Sequence, residues 1–199
     1  MLTVVLCAFP IYWEVKIQFI NAKATAMTRL VVGNNDVYAR CQRDVADMFQ
    51  MNNMSYAGWV EYSSPTKSNL TPWTCSQFRS WVTSDKKHAT DHQIRSFHIV
   101  LHEAVHLTGE YNEAMAEYKA SKIFQDIAIS MGVSPTEALR MYTFHRERIN
   151  PNMPMQYRVD FEEKEREEQE AKEAEEAKAR EQAEEQNDTT ETPEQQPAQ

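Results

Sequence analysis

Three residues in a short segment of this chain have the types and spacing of a metal site: His102, Glu103 and His106 form an H-E-x-x-H motif. Residues four apart lie on one face of a helix, so the two imidazoles can bind the same metal ion. Glu103 lies beside them, and its carboxylate can take a proton from a water molecule bound to that metal. The motif therefore predicts a catalytic zinc site with Glu103 as the general base.

The motif lies in a pattern typical of an amphipathic helix, which we expect to end near Gly109 because glycine readily takes the left-handed conformation that closes a helix. The chain can then reverse within residues 109–112. A second helix, predicted from Glu113 to about Met131, would run back antiparallel to the first. The first helix has apolar positions on one side and a histidine stripe on another: Ile94, Phe97, Leu101, Val105 and Leu107, against His98, His102 and His106.

The predicted helical hairpin supplies a third metal ligand. In a tight hairpin Glu113 lies opposite His106, and Glu117, one turn further on, lies opposite His102. We therefore predict that Glu113 completes the zinc site and leaves one coordination position for water or substrate. Glu117 is predicted to accept a hydrogen bond from the other ring nitrogen of His102, which fixes the tautomer of that ligand. The spacing also allows the two glutamates to exchange these roles.

Two histidines that flank a glutamate, followed by a Glu-x-x-x-Glu helix, resemble the gluzincin metallopeptidases, and the short chain is similar to their minimal single-domain members. A wider resemblance, over roughly residues 38–131, is to small predicted zinc peptidases of bacteria and phages. It implies an α+β, zincin-like fold in which a zinc-binding antiparallel helix pair is joined by a small sheet and a third helix. The elements that carry it are Cys41, Gly58-Trp59-Val60, Pro72-Trp73-Thr74-Cys75, His102–His106 and Asn112-Glu113-Ala114-Met115-Ala116-Glu117.

A metzincin-like site is an alternative, because His102–Gly109 also reads H-E-x-x-H-x-x-G. That family places its third ligand three residues later, at Asn112. A neutral amide is a poor substitute for histidine or aspartate on zinc, and the adjacent Glu113 explains the site better. The sequence therefore favours the gluzincin-like interpretation.

Charge divides the 199-residue chain into two parts. Residues 160–199 carry 16 acidic and 5 basic side chains, a net charge of about −11, whereas residues 1–159 carry 14 acidic and 16 basic ones, about +2. The net charge of −9 of the whole chain therefore comes from the tail. Residues 161–186 have helix-forming composition without an apolar stripe, which predicts a solvated helix rather than a coiled coil, with disorder from Asn187 onward. We expect the tail to act as a spacer. The nearly neutral first part and the acidic tail disfavour nucleic acid as a partner, and none is expected.

The amino-terminal residues 1–27 are assigned to a separate apolar segment or strand, ahead of a zincin-like domain at residues 28–159 and an acidic tail at residues 160–199. The apolar run Leu2–Trp13 is too short to span a bilayer and lacks the basic start of a signal peptide. Alternation in Trp13–Phe19 and the run Thr28–Val32 favour two short strands. The compartment stays open, with the cytoplasm favoured and export as the alternative if the apolar run is a signal.

Other segments are expected to frame the site. Asp44–Phe49 is a predicted short helix, and Tyr56–Tyr62 is a predicted strand that could hold an extended peptide beside the zinc helix. A capping box with proline at the first helical position, Ser134–Glu137, begins a third helix. Cys41 and Cys75 are the pair expected to form a disulfide if the chain is exported, since both lie in the predicted domain.

Four further residues are weaker candidates for the site. His98 lies one turn before His102, but a place on the polar helix face explains it as simply. His145, Tyr111 and Tyr118 could stabilise an oxyanion, although packing is the simpler role for the helix that carries His145.

The sequence therefore predicts a zinc-dependent metallopeptidase that hydrolyses peptide bonds in a peptide or protein substrate through a zinc-bound water activated by Glu103. Substrate specificity and oligomeric state are not indicated, and no stable membrane span is expected. One alternative is a catalytically inactive zincin-like structural or interaction protein of a phage or cell surface that keeps the hairpin for stability, with or without a metal. Another is an adaptor that acts through the acidic tail. The peptidase hypothesis predicts instead that residues 160–199 are dispensable for hydrolysis.

Overall fold

The structure is a computed structural model that describes residues 2–42, 57–63 and 65–188. This part of the chain contains helices and one small sheet, so its class is α+β, as predicted. The predicted helix Asp44–Phe49 and residues 189–199 lie outside the described residues. In chain order the elements are α1 (Leu2–Val32), β1 (Tyr38–Cys41), β2 (Gly58–Val60), β3 (Lys67–Leu70), α2 (Pro72–Val82), α3 (Asp91–His106), α4 (Glu113–Ser130), α5 (Pro135–Phe144) and α6 (Phe161–Asp188).

The backbone divides into two compact units, Met1–Val159 and Asp160–Gln199. The first unit contains the sheet, helices α1 to α5, and a series of short helical turns between residues 145 and 157. The second unit contains α6, the helix that the tail composition predicted, and most of its described side chains are exposed.

The sheet has the strand order β1-β3-β2. β1 runs parallel to β3 and β2 runs antiparallel to it, with Cys41 and Gly58 both opposite Leu70. β2 therefore lies at an edge of the sheet, within the predicted strand Tyr56–Tyr62 but shorter, and it packs against α3. A disulfide joins Cys41 at the end of β1 to Cys75 in α2, with the two Cα atoms 6.0 Å apart.

The two strands predicted within residues 13–32 are wrong, because this segment belongs to α1. The period-two alternation that suggested a strand is short. From residue 20 onward the buried positions instead follow helical spacing, and the alternation in residues 13–19 was too short to distinguish a strand from a helix. These buried residues are Ile20, Ala24, Met27 and Thr28. α1 also continues past the boundary expected between residues 27 and 28. No helix in the described part of the chain is long and apolar enough to cross a bilayer.

A polar face of α1 covers the outer edge of β1. Side chains of α1 that are spaced four residues apart form hydrogen bonds with the backbone of every second residue along this edge. Asn21 Oδ1 accepts from Cys41 N at 2.9 Å, and Thr25 Oγ1 accepts from Ala39 N at 3.1 Å. One turn further on, Arg29 Nε donates to the carbonyl of residue 37 at 3.0 Å. The unpaired backbone groups of an exposed strand edge can pair with another chain, and here the side chains of α1 form hydrogen bonds with those groups. This long-range contact favours helix over strand in the segment.

α3 lies at the centre of the first unit and packs against α1, α2 and α4. It begins with a complete capping box in which Thr90 and Gln93 exchange side-chain and backbone hydrogen bonds. It ends at His106, and Gly109 follows with φ +92°. This is the left-handed conformation that the sequence predicted at this glycine. The apolar face of α3 is buried among aromatic side chains of neighbouring helices, including Phe78, Trp81 and Phe124.

α4 and α5 each begin with a side-chain cap. The Asn112 side chain accepts from the Met115 backbone at 2.9 Å, and Ser134 accepts from the Glu137 backbone at 3.3 Å. The reciprocal half of the predicted capping box at Ser134 is absent. The Glu137 carboxylate instead accepts from the Ala89 backbone at 2.9 Å and from Arg140, which ties α5 to the loop before α3.

Candidate metal centre

Three donor atoms from α3 and α4 meet at the turn between these helices. His102 Nε2 lies 3.0 Å from His106 Nε2, and Glu113 Oε2 lies 3.1 Å from each of these nitrogens. Both histidines are buried and Glu113 is partly buried. The three residues predicted as metal ligands are thus brought together, and they form one of two groups in the described residues that could hold a metal ion.

The spacing of these donors suits a small divalent ion. Two donors on a tetrahedral zinc ion with bonds of about 2.0–2.1 Å lie about 3.3 Å apart. The observed separations of 3.0–3.1 Å are within a few tenths of an ångström of that value. Two imidazoles and a carboxylate also form a donor set that zinc commonly takes in catalytic sites. The residues therefore fit a zinc ion in both geometry and chemistry.

Contacts at the Nδ1 side of each ring orient the two histidines. His106 Nδ1 lies 2.6 Å from the Glu110 carbonyl oxygen, which can only accept, so Nδ1 carries the proton and Nε2 keeps its lone pair. His102 Nδ1 lies 3.2 Å from Glu117 Oε2, a contact that is less well aligned. Both rings therefore turn Nε2 toward Glu113.

The electrostatics of the centre favour a positive charge between these groups. Burial disfavours a charged imidazole at His102, but hydrogen bonds to Glu113 and Glu117 outweigh it and raise the pKa of His102 to about 10. Burial also acts against the Glu113 carboxylate, yet hydrogen bonds from His102 and His106 lower its pKa to about 2. A cation is stabilised at this position, whether it is a proton or a metal ion.

The Glu103 side chain is enclosed between α3 and the edge strand β2. Burial raises the pKa of Glu103 to about 7, although the positive charges of His102 and His106 act to lower it. Its Oε2 has no hydrogen-bond partner among the described residues. A Cβ atom built on Gly58 would lie only 2.7 Å from Glu103 Cγ, so the absence of a side chain at Gly58 makes room for the glutamate. A glycine inside a strand is a recognised sign of such close approach, and the glycine in the predicted strand Tyr56–Tyr62 carries this signal in the sequence.

Glu117 is the centre of a fully buried polar cluster. His98 Nε2 donates to its Oε2 at 2.7 Å, and His145 Nε2 and Asn150 Nδ2 lie 3.3 and 3.4 Å from its Oε1. The carboxylate thus contacts three histidines, including His102, and their hydrogen bonds and charges hold the pKa of Glu117 well below its ordinary value despite burial. His98, His102 and Glu117 form the second group that could hold a metal ion.

The weaker candidates have different positions. His98 belongs to the buried cluster, and the rings of His98 and His145 stack with centroids 3.6 Å apart. His145 is completely buried, so it is not available to a substrate oxygen. The exposed Tyr111 ring packs on Tyr62, which in turn lies edge-on to His106. Tyr118 is buried.

A pocket of about 110 Å³ opens beside His102 and Glu103. One side is formed by α3 and β2, and the other by the turns after α5. Tyr157 belongs to these turns, and its ring centroid lies 5.8 Å from that of His102. Sequence reasoning missed Tyr157 and Asn150, because both lie far from the motif along the chain and no short spacing signals them. The lining residues are Ala57, Gly58, Arg95, His98, Ile99, His102, Glu103, Glu117, Ile149, Met153, Pro154 and Tyr157.

No protein-family model matches the chain, and neither a curated protein nor a solved structure matches it.

Proposed function

We propose that this protein is a zinc-dependent metallopeptidase with a zincin-like fold and a gluzincin-like site. The observation that carries the proposal is the position of Glu103, a buried carboxylate beside three metal-ligating atoms and at the wall of a pocket. Its Oε2 atom has no hydrogen-bond partner among the described residues. Such an oxygen is available to exchange a proton with a reactant.

The proposed zinc ligands are His102, His106 and Glu113, since their donor atoms are spaced within a few tenths of an ångström of zinc geometry. These three residues would hold a zinc ion, which would supply Lewis-acid chemistry toward a carbonyl oxygen and a water molecule. Glu117 contacts the Nδ1 side of His102 and keeps the ring turned toward the other two donors.

Glu103 is the proposed general base. It takes a proton from the attacking water and delivers it to the nitrogen of the departing amine, so that the amide C–N bond breaks without forming an unprotonated leaving group. Gly58 leaves the space in which this carboxylate sits.

β2 is the proposed holder of the substrate backbone. In the described part of the chain it pairs only with β3, and its other edge is the one that would receive an extended peptide. Pairing with this edge would align the peptide beside Glu103, which packs against the same strand.

Replacement of Glu103 by Gln tests the proposal. The change keeps the size of the side chain and leaves the three zinc ligands in place, so zinc content should be retained. Hydrolysis of a mixed peptide library, followed by mass spectrometry, should fall by at least about 100-fold, which is the lower range of a general-base contribution. Glu147→Gln is the matched control, because Glu147 is exposed and does not line the pocket.

Two results would count against a peptidase. Full activity in the Glu103→Gln variant would remove the proposed base. A zinc-loaded wild-type protein that cleaves no peptide in the library would favour an inactive protein that keeps the metal for stability.

A further inference from the structure

Arg95 is a charged residue in the pocket that the proposed chemistry does not use. It lies on α3, seven residues before His102, so the helical repeat puts both residues on one face. Its side chain is exposed and belongs to the pocket lining. Within residues 2–42, 57–63 and 65–188, its guanidinium has no hydrogen bond or ion pair. An arginine beside a pocket and without an internal partner is available to bind an anion from solution.

The pocket is small, and apart from Arg95, two histidines and two glutamates its lining is mainly apolar. Ile99, Ile149, Met153 and Pro154 contribute its walls. Its volume of about 110 Å³ is less than the roughly 150 Å³ of a cavity that holds benzene. The pocket therefore has room for one medium-sized apolar side chain rather than for a large ligand.

The distance from Arg95 to the proposed base sets which part of a peptide could reach it. Eight positions separate Arg95 from Glu103, which corresponds to a rise of about 12 Å along the helix. An extended peptide covers about 3.3–3.6 Å per residue, so this rise corresponds to roughly three to four residues between the two Cα positions. Both side chains line the same small pocket, so a negative group close to the peptide residue held in that pocket can lie beside the guanidinium.

We propose that this pocket binds one apolar residue of a peptide substrate and that Arg95 binds a carboxylate next to it. The carboxylate comes either from the carboxyl terminus of the peptide or from an acidic side chain that follows the apolar residue. The proposal rests on the proposed function, because the peptide bond beside the bound residue is the one that Glu103 acts on. Arginine binds a carboxylate through two parallel hydrogen bonds, which also fixes the orientation of the ligand.

Calorimetric titration of the zinc-loaded full chain tests the site without relying on activity. The probes are N-acetyl-leucine, its amide, and the amide of N-acetyl-Leu-Glu, whose only carboxylate is on the side chain. We expect the wild type to bind a carboxylate probe about tenfold or more tightly than N-acetyl-leucinamide, as one charge-assisted hydrogen bond would produce. The more tightly bound of the two carboxylate probes identifies the source of the carboxylate.

Two variants separate a direct contact from a general charge effect. Arg95→Gln should abolish the preference for carboxylate over amide. Arg148→Gln removes the same charge from an exposed position that does not line the pocket, and it should keep the preference. Equal binding of acid and amide by the wild type would overturn the proposal. So would an unchanged preference in Arg95→Gln, or an equal loss of preference in Arg148→Gln.

Kinetics distinguish a failure of this inference from a failure of the proposed function. If hydrolysis depends on Glu103 but Arg95→Gln keeps the wild-type ratio of kcat/KM between free-acid and amidated peptides, the carboxylate site is refuted and the peptidase stands. If no peptide is cleaved while the Arg95-dependent preference in binding persists, the peptidase is refuted and the carboxylate site stands.

Discussion

A methyl group at Gly58 provides a sharp test of how the proposed base is positioned. The added Cβ atom would lie 2.7 Å from Glu103 Cγ and 2.9 Å from both Cδ and Oε1. Gly58 is not among the glycines with positive φ, so alanine can adopt its backbone conformation. The effect of Gly58→Ala therefore comes through the Glu103 side chain. Ordinary contact begins at 3.4 Å, so the glutamate or the strand must move by about 0.7 Å.

The size of this displacement sets the expected loss of activity. A misplacement of about 1 Å can reduce an enzymatic rate by about 100-fold, so Gly58→Ala should reduce kcat/KM by an amount approaching that factor. A 100-fold loss corresponds to about 2.7 kcal/mol in the activation free energy. Zinc content should not change, because the three atoms nearest to the new methyl group all belong to Glu103, which is not one of the proposed zinc ligands.

The assay combines kcat/KM on the best peptide of the library with metal analysis and urea denaturation. Trp59→Phe is the control on the same strand, because neighbouring residues of a strand point to opposite faces. Wild-type kcat/KM in Gly58→Ala would refute the proposed link between this contact and catalysis. Loss of zinc from the variant would also refute the reasoning, since the perturbation would then have spread to the ligands.

Three other predictions concern the ligands and the stability of the fold. Glu113→Ala should lose zinc in a metal titration, whereas Glu117→Ala should keep it with an affinity about 10- to 100-fold lower; the opposite result would exchange their roles. Replacing Cys41 and Cys75 by serine opens a loop with a sequence separation of 34 residues and should lower the free energy of unfolding in urea by about 4 kcal/mol, whereas unchanged stability would contradict this. Hydrogen bonds from Arg140 and Ala89 lower the pKa of Glu137 below 4.5 despite the burial of this carboxylate. The ionised carboxylate therefore stabilises the fold above about pH 4.5, and this stabilisation is lost as the pH falls below that value. Glu137→Gln should therefore be less stable than the wild type in urea at pH 7, with a smaller difference at pH 3, and an equal difference at both values would contradict the assignment.

The local part of the candidate site could be predicted because it depends on short-range geometry. Helical spacing puts His102 and His106 on one face, and a left-handed Gly109 ends the helix. The short connection then limits where Glu113 can lie, and its Oε2 is found 3.1 Å from both imidazoles. Each of these steps spans only a few residues, so the helical repeat and the turn chemistry are sufficient to infer it.

The sequence by itself also indicated the α+β class and the helical acidic tail, and it named Cys41 and Cys75 as the pair that would join if the chain were exported; the structure contains that disulfide. Packing between distant segments determined the rest. Residues 13–32 alternate like a strand at first, but they form a helix whose polar side chains bond to the edge of β1. The space for Glu103 is left by Gly58 on another element, and the partners of Glu117 include Asn150, 33 residues away. Such contacts depend on how whole elements pack, and no local spacing in the sequence encodes that packing.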